Sequence, residues 1–280
     1  MRCNLSKAEV VVLAACLGLS ALALFGPAIG QPGSYHDFAD QRMLWGLPFA
    51  MDVLSNLAFA LAGLAGFGCL LAAQPRRLTN VQRAMAAMFF AGLLLTAAAS
   101  SWYHWQPDDA GLAVDRCGMA VAFAGLLGLA AAGRVSGRAG AALGLGVLAL
   151  SPPAVLAAMN AGNVLPWATL QFGGLALLLW FAQRTPRVVA LDVRWGHVIA
   201  LYAVAKLFEV GDATVFEWTA HVVSGHTLKH VAAACAAWPV IAAIGALRNS
   251  GQNAPVVDRT KDVAARREGH ASMSQERSPV

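Results

Sequence analysis

Long apolar stretches separated by short polar joints run along most of the chain. A bilayer core about 30 Å thick needs about 20 consecutive apolar residues for one helical crossing. Windows of that length lie at 8–29, 48–73, 84–104, 112–132, 139–158, 164–182, 195–213 and 222–247. Proline, glycine and arginine punctuate the joints, as in QPRRLTN and GRVSGR, in the manner of turns. The pattern predicts an all-α, polytopic transmembrane bundle of eight helices.

Composition agrees with a membrane protein and argues against a soluble domain. Of the 280 residues, 58% are hydrophobic and 12% are charged, and the mean hydropathy is +0.58. Soluble domains carry about 25% charged residues. The five cysteines are widely spaced and form no CxxC pair. Neither a disulfide framework nor a cysteine metal site is therefore indicated.

The basic residues indicate an orientation. With the N-terminus on the inner side, sixteen of the twenty lysines and arginines fall on inner segments. Cytoplasmic loops of membrane proteins carry such an excess. The positive charge therefore predicts an N-in, C-in topology, not nucleic-acid binding. Together with an Ala/Gly/Arg-rich composition typical of bacteria, it leads us to expect a multi-pass protein of a bacterial inner membrane.

The two ends of the chain differ from its centre. Residues 1–34 hold the first apolar window, which is too long for the apolar region of a signal peptide and favours an uncleaved helix. Cleavage at this helix stays the alternative. Residues 35–248 hold the remaining seven windows. Residues 249–280 are polar and nearly free of aromatic residues, which predicts a disordered cytoplasmic tail.

Ionisable side chains gather at one depth of the predicted bundle. His104 ends the third window, Asp115 begins the fourth, and His226 and His230 lie near the outer end of the eighth. Each such group costs about 2.5–3.5 kcal/mol at mid-membrane, so several at one depth indicate mutual pairing or a function. We expect these groups to form one layer near the outer face.

Three histidines in that layer indicate a metal site. His226 and His230 stand four residues apart, on one face of a helix, and topology brings His104 to the same depth. Three histidines leave a tetrahedral zinc with one open position, the catalytic arrangement, in which the pKa of a bound water falls to about 7. Hydrogen-bonded core histidines are the alternative. His36, His197, His221 and His270 are interpreted as solvated or interfacial.

Two further polar residues are candidates for catalysis. Asp115 is placed to take a proton from the water or to orient a ligand. Ser100, four residues before His104, is placed to donate to a developing oxyanion, although bonding back to a helix carbonyl would also explain it. Lys206 and Glu209 predict an ion pair, with a proton relay as the alternative. Lys229 is expected to pair with Glu209 or Asp212.

This arrangement resembles the alkaline ceramidase family, part of a superfamily of seven-helix membrane hydrolases that includes progestin/adiponectin-type receptors. The resemblance covers roughly residues 35–247. It is carried by SSWYH (Ser100, His104), AVDRCGM (Asp115), GHTLKH (His226, His230) and SNLAF (Ser55 to Phe59).

The resemblance implies a zinc-dependent hydrolase of sphingolipid metabolism that cleaves the amide bond of a ceramide-like N-acylated membrane lipid. His104, His226 and His230 would hold the zinc, Asp115 would act on the water, and Ser100 would stabilise the oxyanion. Asp37 and Asp40 resemble the family's calcium site, although Phe49 stands about where the family has a glutamate. The helix at 8–29 is an addition to the seven shared helices.

Two other functions stay open at this point. One is a lipid receptor or sensor of the same architecture with a structural metal. The other is a haem-binding or proton-handling membrane protein. Because His226 and His230 share one helix face, whereas haem ligands usually come from facing helices, the sequence favours the hydrolase.

Overall fold

The computed structural model describes residues 4–186 and 191–247, and the predicted tail at 249–280 lies outside them. Within these ranges the chain is helical and contains no β-strand, only two isolated backbone bridges. The helices in chain order are α1 (Lys7–Phe25), α2 (Ala50–Ser55), α3 (Leu57–Ala72), α4 (Asn80–Trp105), α5 (Asp109–Arg134), α6 (Gly137–Ala161), α7 (Leu165–Ala182), α8 (Trp195–Val210), α9 (Asp212–Trp218), α10 (Gly225–Cys235) and α11 (Trp238–Ala246).

In the part of the chain that the structure describes, seven helical stretches are long and apolar enough to cross a membrane, which confirms the prediction of a helical transmembrane bundle. They are α1, α2 with α3, α4, α5, α6, α7, and α10 with α11. Leucines on the outside of the bundle are widely exposed, such as Leu61 (59%), Leu71 (82%) and Leu24 (75%). Such apolar exposure would be unfavourable in water but matches a lipid environment.

One predicted window is shorter in the structure than in the sequence. The window 195–213 becomes α8, which has 16 residues and ends at Val210. At 1.5 Å per residue this helix is only about 24 Å long. The chain bends at Gly211 and continues as the short helix α9. The bend places Asp212 at the end of the bundle where α4 ends and α5 and α10 begin.

Side-chain caps determine where several helices begin. Ser6 and Glu9 form a capping box at α1, and Thr79 and Gln82 form one at α4. The box at Thr79 starts α4 four residues before the predicted window. Asp108 caps α5 by accepting from the backbone N–H of Gly111 at 2.6 Å. These caps satisfy N–H groups that a helix end leaves without partners.

Helices α4 and α5 lie closer together than larger side chains would permit. A Cβ added at Gly92 would lie 2.1 Å from the backbone N of Ala122, and one at Gly125 would lie 2.2 Å from the backbone N of Phe89. Small residues at such contacts let membrane helices approach closely. The close approach brings Ser100 and His104 of α4 beside the first turns of α5, which carry Asp115.

The first helix is attached mainly through α7. It contacts α7, and Glu9 near its start pairs with Arg138 and accepts from Ser136 Oγ at 2.6 Å. At its far end, a Cβ at Gly26 would meet Leu165 Cδ2 at 2.7 Å. The predicted additional N-terminal helix is thus present and packed on the bundle.

Candidate metal centre

The three predicted histidines meet at one end of the bundle. His104 comes from the last turn of α4, and His226 and His230 come from one face of α10. One ring nitrogen from each histidine lies within 4.8 Å of those of the other two. The Nε2 atoms of His104 and His226 are 3.2 Å apart. We call these three residues the histidine triad; it is the one group of three or more candidate ligands within residues 4–186 and 191–247.

The histidine triad is buried, and a hydrogen bond with Ser55 orients His230. His104, His226 and His230 are 0%, 7% and 2% exposed. Ser55 Oγ lies 2.8 Å from His230 Nδ1, which leaves Nε2 of that ring for the triad. His104 Nδ1 is buried and has no hydrogen-bond partner among the described residues. Three converging imidazoles with so few partners fit a cation better than a hydrogen-bonded core network.

Carboxylates hold the N-terminus of α10, which carries two of the three histidines. Asp212 Oδ1 accepts from the backbone N–H of His226 at 2.7 Å. Asp52, which is fully buried in α2, accepts from Thr227 Oγ1 at 2.7 Å and from Ser224 Oγ at 3.3 Å. Negative charge at a helix N-terminus is favourable because backbone N–H groups point outward there. Sequence reasoning missed Asp52, although it stands three residues before Ser55.

A second missed element covers the histidines from the end of the bundle. Residues 26–49, here called the cap segment, place the Phe38 ring 4.6 Å from the His104 ring and 4.5 Å from the His226 ring, between centroids. The backbone N–H of Ala39 donates to Asp212 Oδ2 at 3.0 Å. Asp212 thus joins the cap segment to α10. A lone phenylalanine in a polar loop gave no sequence signal for this position.

The cap segment is also fixed at its polar residues. His36, predicted to be solvated, lies 2.9 Å from Tyr103 Oη and 3.2 Å from Asp109 Oδ1 through its two ring nitrogens. Gln31 bridges Asp109 and Arg116 at 3.1 and 3.0 Å. These bonds join the cap segment to the ends of α4 and α5. His36 is therefore a structural contact of the cap segment.

The two aspartates of the candidate calcium site lie in the same segment. Burial alone would raise the pKa of Asp40, but hydrogen bonds from Arg42 outweigh it and hold the pKa below its usual range. Arg42 Nη2 also donates to the backbone carbonyl of Val222 at 2.9 Å. Asp37 is exposed and joins no group of three candidate ligands in the described residues. The calcium site stays a prediction, with Asp40 already paired.

Ser100 and Asp115 line a single cavity with His230. The cavity has a volume of about 130 Å³, and apolar side chains form most of its wall. Ser100 is 2% exposed and Asp115 is 7% exposed. Asp115 Oδ1 has no hydrogen-bond partner among the described residues. A buried carboxylate oxygen without a partner beside a histidine cluster is suited to accept a proton.

Three charged side chains line the same cavity. Lys206 and Lys229 both contact Glu209, through different carboxylate oxygens. The predicted Lys206–Glu209 ion pair is thereby confirmed. Of the two partners foreseen for Lys229, Glu209 is the one it contacts. We call Lys206, Glu209 and Lys229 the ion triad.

No protein-family model matches this chain, and no curated protein matches it in sequence. What the protein does is therefore inferred from the arrangement of its own residues.

Replacing Gly225 by alanine is expected to disturb the histidine triad. A Cβ at this position would lie 2.3 Å from the carbonyl oxygen of Phe208 and 2.7 Å from Asp212 Cα, so α10 would have to shift away from α8 and α9. Overpacking of this kind costs about 1–3 kcal/mol. We expect a lower unfolding temperature and weaker retention of any metal held by the histidine triad, measured by thermal unfolding and elemental analysis.

Gly137→Ala is the matched control, because Gly137 is also the first residue of its helix. A Cβ there would meet only Val81 Cγ2 at 3.7 Å, an ordinary contact. Equal metal content and stability in both variants would contradict the role assigned to the start of α10.

Proposed function

We propose that this protein is a zinc-dependent membrane amidohydrolase that cleaves the amide bond of an N-acylated, ceramide-like lipid. The observation that carries the proposal is the histidine triad, buried in a transmembrane bundle, with Ser100 and Asp115 on a cavity shared by His230. The motif resemblance to alkaline ceramidases supports the same chemistry.

The donor set favours zinc. Three neutral imidazoles suit zinc and leave room for a fourth ligand, as in catalytic zinc sites. Copper and nickel also accept imidazole, so the preference rests on the common use of zinc with three histidines in hydrolases. His104, His226 and His230 would hold the ion. A metal there would supply Lewis acidity and lower the pKa of a water molecule.

The remaining steps belong to the chain's own residues. Asp115 would accept a proton from the attacking water through its unpartnered Oδ1. Ser100 would donate a hydrogen bond to the carbonyl oxygen as negative charge develops on it. Asp115 would then return the proton to the amine as the carbon–nitrogen bond breaks. The carboxylic acid that forms gives its proton to the amine, so the products are a fatty acid carboxylate and a protonated amine, which together contain the atoms of the amide and one water.

The environment of the site supports a lipid substrate. Beyond its polar groups the cavity is lined by apolar side chains such as Phe89, Leu93, Phe123 and Leu178. Apolar walls of this kind suit an acyl chain. The cavity lies in a bundle of membrane-spanning helices, so a lipid could enter the cavity without first leaving the bilayer.

The test is a product assay on detergent-purified, zinc-loaded protein, with release of palmitate from N-palmitoyl lipids measured by mass spectrometry. We expect palmitate release by the wild type and about 10²-fold slower release by Ser100→Ala, because one oxyanion donor is lost. Ser101→Ala is the matched control, since Ser101 donates to Val53 O at 3.3 Å.

Zinc retained without product from any N-palmitoyl lipid would contradict the hydrolase. That outcome would favour a receptor or sensor in which the metal is structural.

A further inference from the structure

The ion triad places two cations on one carboxylate at the wall of the cavity. Lys206 and Glu209 stand three residues apart on α8, and Lys229 reaches Glu209 from α10, with Nζ 3.4 Å from Oε1. Their side chains are 31%, 27% and 20% exposed, in the order Lys206, Glu209, Lys229. The three side chains of the ion triad are therefore mostly buried.

The ion triad holds two positive charges and one negative charge, so one positive charge lacks an ion-pair partner of its own. No other acidic side chain among the described residues lies within 4.0 Å of either lysine. Asp115 lines the same cavity but forms no ion pair with either lysine. An uncompensated charge inside a membrane protein is costly unless a partner arrives. An anion bound beside the lysines would offset this excess positive charge, and the described residues do not supply one.

A neutral donor faces the same space. Tyr202 lines the cavity, and its Oη is buried without a hydrogen-bond partner among the described residues. Lys206 Nζ lies 5.9 Å from the centre of the Tyr202 ring. A phenol O–H and two ammonium groups are all donors, and a carboxylate or phosphate accepts from several donors at once.

The ion triad, Ser100, Asp115 and His230 share one cavity whose other walls are mostly apolar. A molecule complementary to this cavity has an acyl chain for the apolar walls, an amide for Ser100, Asp115 and His230, and an anionic group near the amide for the ion triad.

We propose that the ion triad, with Tyr202, binds an anionic headgroup, so that the substrate class is N-acylated lipids whose headgroup carries a carboxylate or a phosphate. This inference rests on the proposed function for the cleavage step but not for binding. Lys206, Lys229 and Tyr202 are then specificity residues, and Glu209 orients the two lysines by contacting both of them.

The test is binding to the metal-free full chain in a neutral detergent, where no hydrolysis is expected. One pair of probes is N-palmitoylglycine and its neutral analogue N-palmitoylglycinamide. The other pair is N-palmitoyl phosphoethanolamine and neutral N-palmitoylethanolamine. We expect at least one anionic probe to bind about tenfold more tightly than its neutral partner, as measured by thermal shift titration. The pair with the larger preference identifies carboxylate or phosphate.

Replacing a lysine of the ion triad should weaken the preference for anionic probes, and replacing Glu209 should strengthen it. Lys229→Gln and Lys206→Gln each leave one lysine paired with Glu209, so the fold is retained, and each should reduce the preference to below about threefold. Glu209→Gln removes the carboxylate of the ion triad and should strengthen the preference. Lys7→Gln, at the start of α1 and away from the cavity, is the control and should leave the preference unchanged.

Equal binding of charged and neutral probes by the wild type would overturn the inference, as would a preference that survives in both lysine variants. Anion preference without hydrolysis in the zinc-loaded protein would retain this inference and reject the proposed function. Hydrolysis of charged and neutral amides at equal rates, without a binding preference, would do the reverse.

Discussion

Replacing His226 and His230 together by alanine is expected to remove zinc from the purified protein. Wild-type protein should carry about one zinc per chain, and the double variant close to none, because one imidazole cannot hold the ion alone. Elemental analysis after purification in a neutral detergent gives this ratio directly. The stability should fall as well, since a ligand present at 1,000 times its Kd stabilises a protein by about 4 kcal/mol.

The matched control is His197→Ala/His221→Ala, which removes two histidines that are exposed in the structure. It should keep its zinc. Chelation should lower the unfolding temperature of the wild type but leave that of the His226→Ala/His230→Ala variant unchanged. A folded wild type that binds no metal under zinc-replete conditions would exclude the proposed hydrolase. The polar layer would then be a structural or proton-handling network.

Replacing Asp115 by asparagine should slow amide hydrolysis by about 10³-fold while zinc content stays near one per chain. General acid–base groups contribute about 10²–10⁴-fold, and an amide side chain of the same size cannot accept the proton. The measurement is palmitate release at saturating lipid, with metal content determined on the same sample. Separating rate from metal content distinguishes a proton-transfer role from a metal-ligand role.

Asp109→Asn is the control for Asp115, because it makes the same chemical change on the same helix at a position whose side chain is 62% exposed, and the asparagine oxygen can still accept the hydrogen bond from Gln31. We expect less than about a twofold change in rate, the range typical of groups outside the reacting site. Loss of zinc in Asp115→Asn would indicate that Asp115 supports the metal. An unchanged rate would remove it from the mechanism.

The helical bundle follows largely from the sequence pattern. Apolar windows located the seven stretches that can cross a membrane. The window at 195–213 was too long, since α8 ends at Val210 and a separate helix, α9, begins at Asp212. Hydropathy averages over many residues and therefore cannot resolve a bend made by one glycine.

The candidate site was predictable where spacing along one helix decides proximity. His226 and His230 share a face because they are four residues apart, and Lys206 and Glu209 pair because they are three apart. His104 was included because the predicted topology places it at the same membrane depth as His226 and His230. Topology does not give the distances between these side chains. The approach of His104 to His226 Nε2 at 3.2 Å depends on the close packing of α4 and on the position of α10.

The sequence by itself determined the membrane-spanning helices, the histidine pair on α10 and the local ion pair. The helices depend on the hydropathy of one continuous segment of about 20 residues, and the two pairs depend on residues within about one helical turn. Tertiary structure decided the rest. Phe38 over the histidines, Asp52 at the start of α10 and Lys229 on Glu209 are contacts between segments separated by 20 to 188 residues. Such contacts depend on how whole helices pack, and packing is set by shape complementarity of many side chains at once.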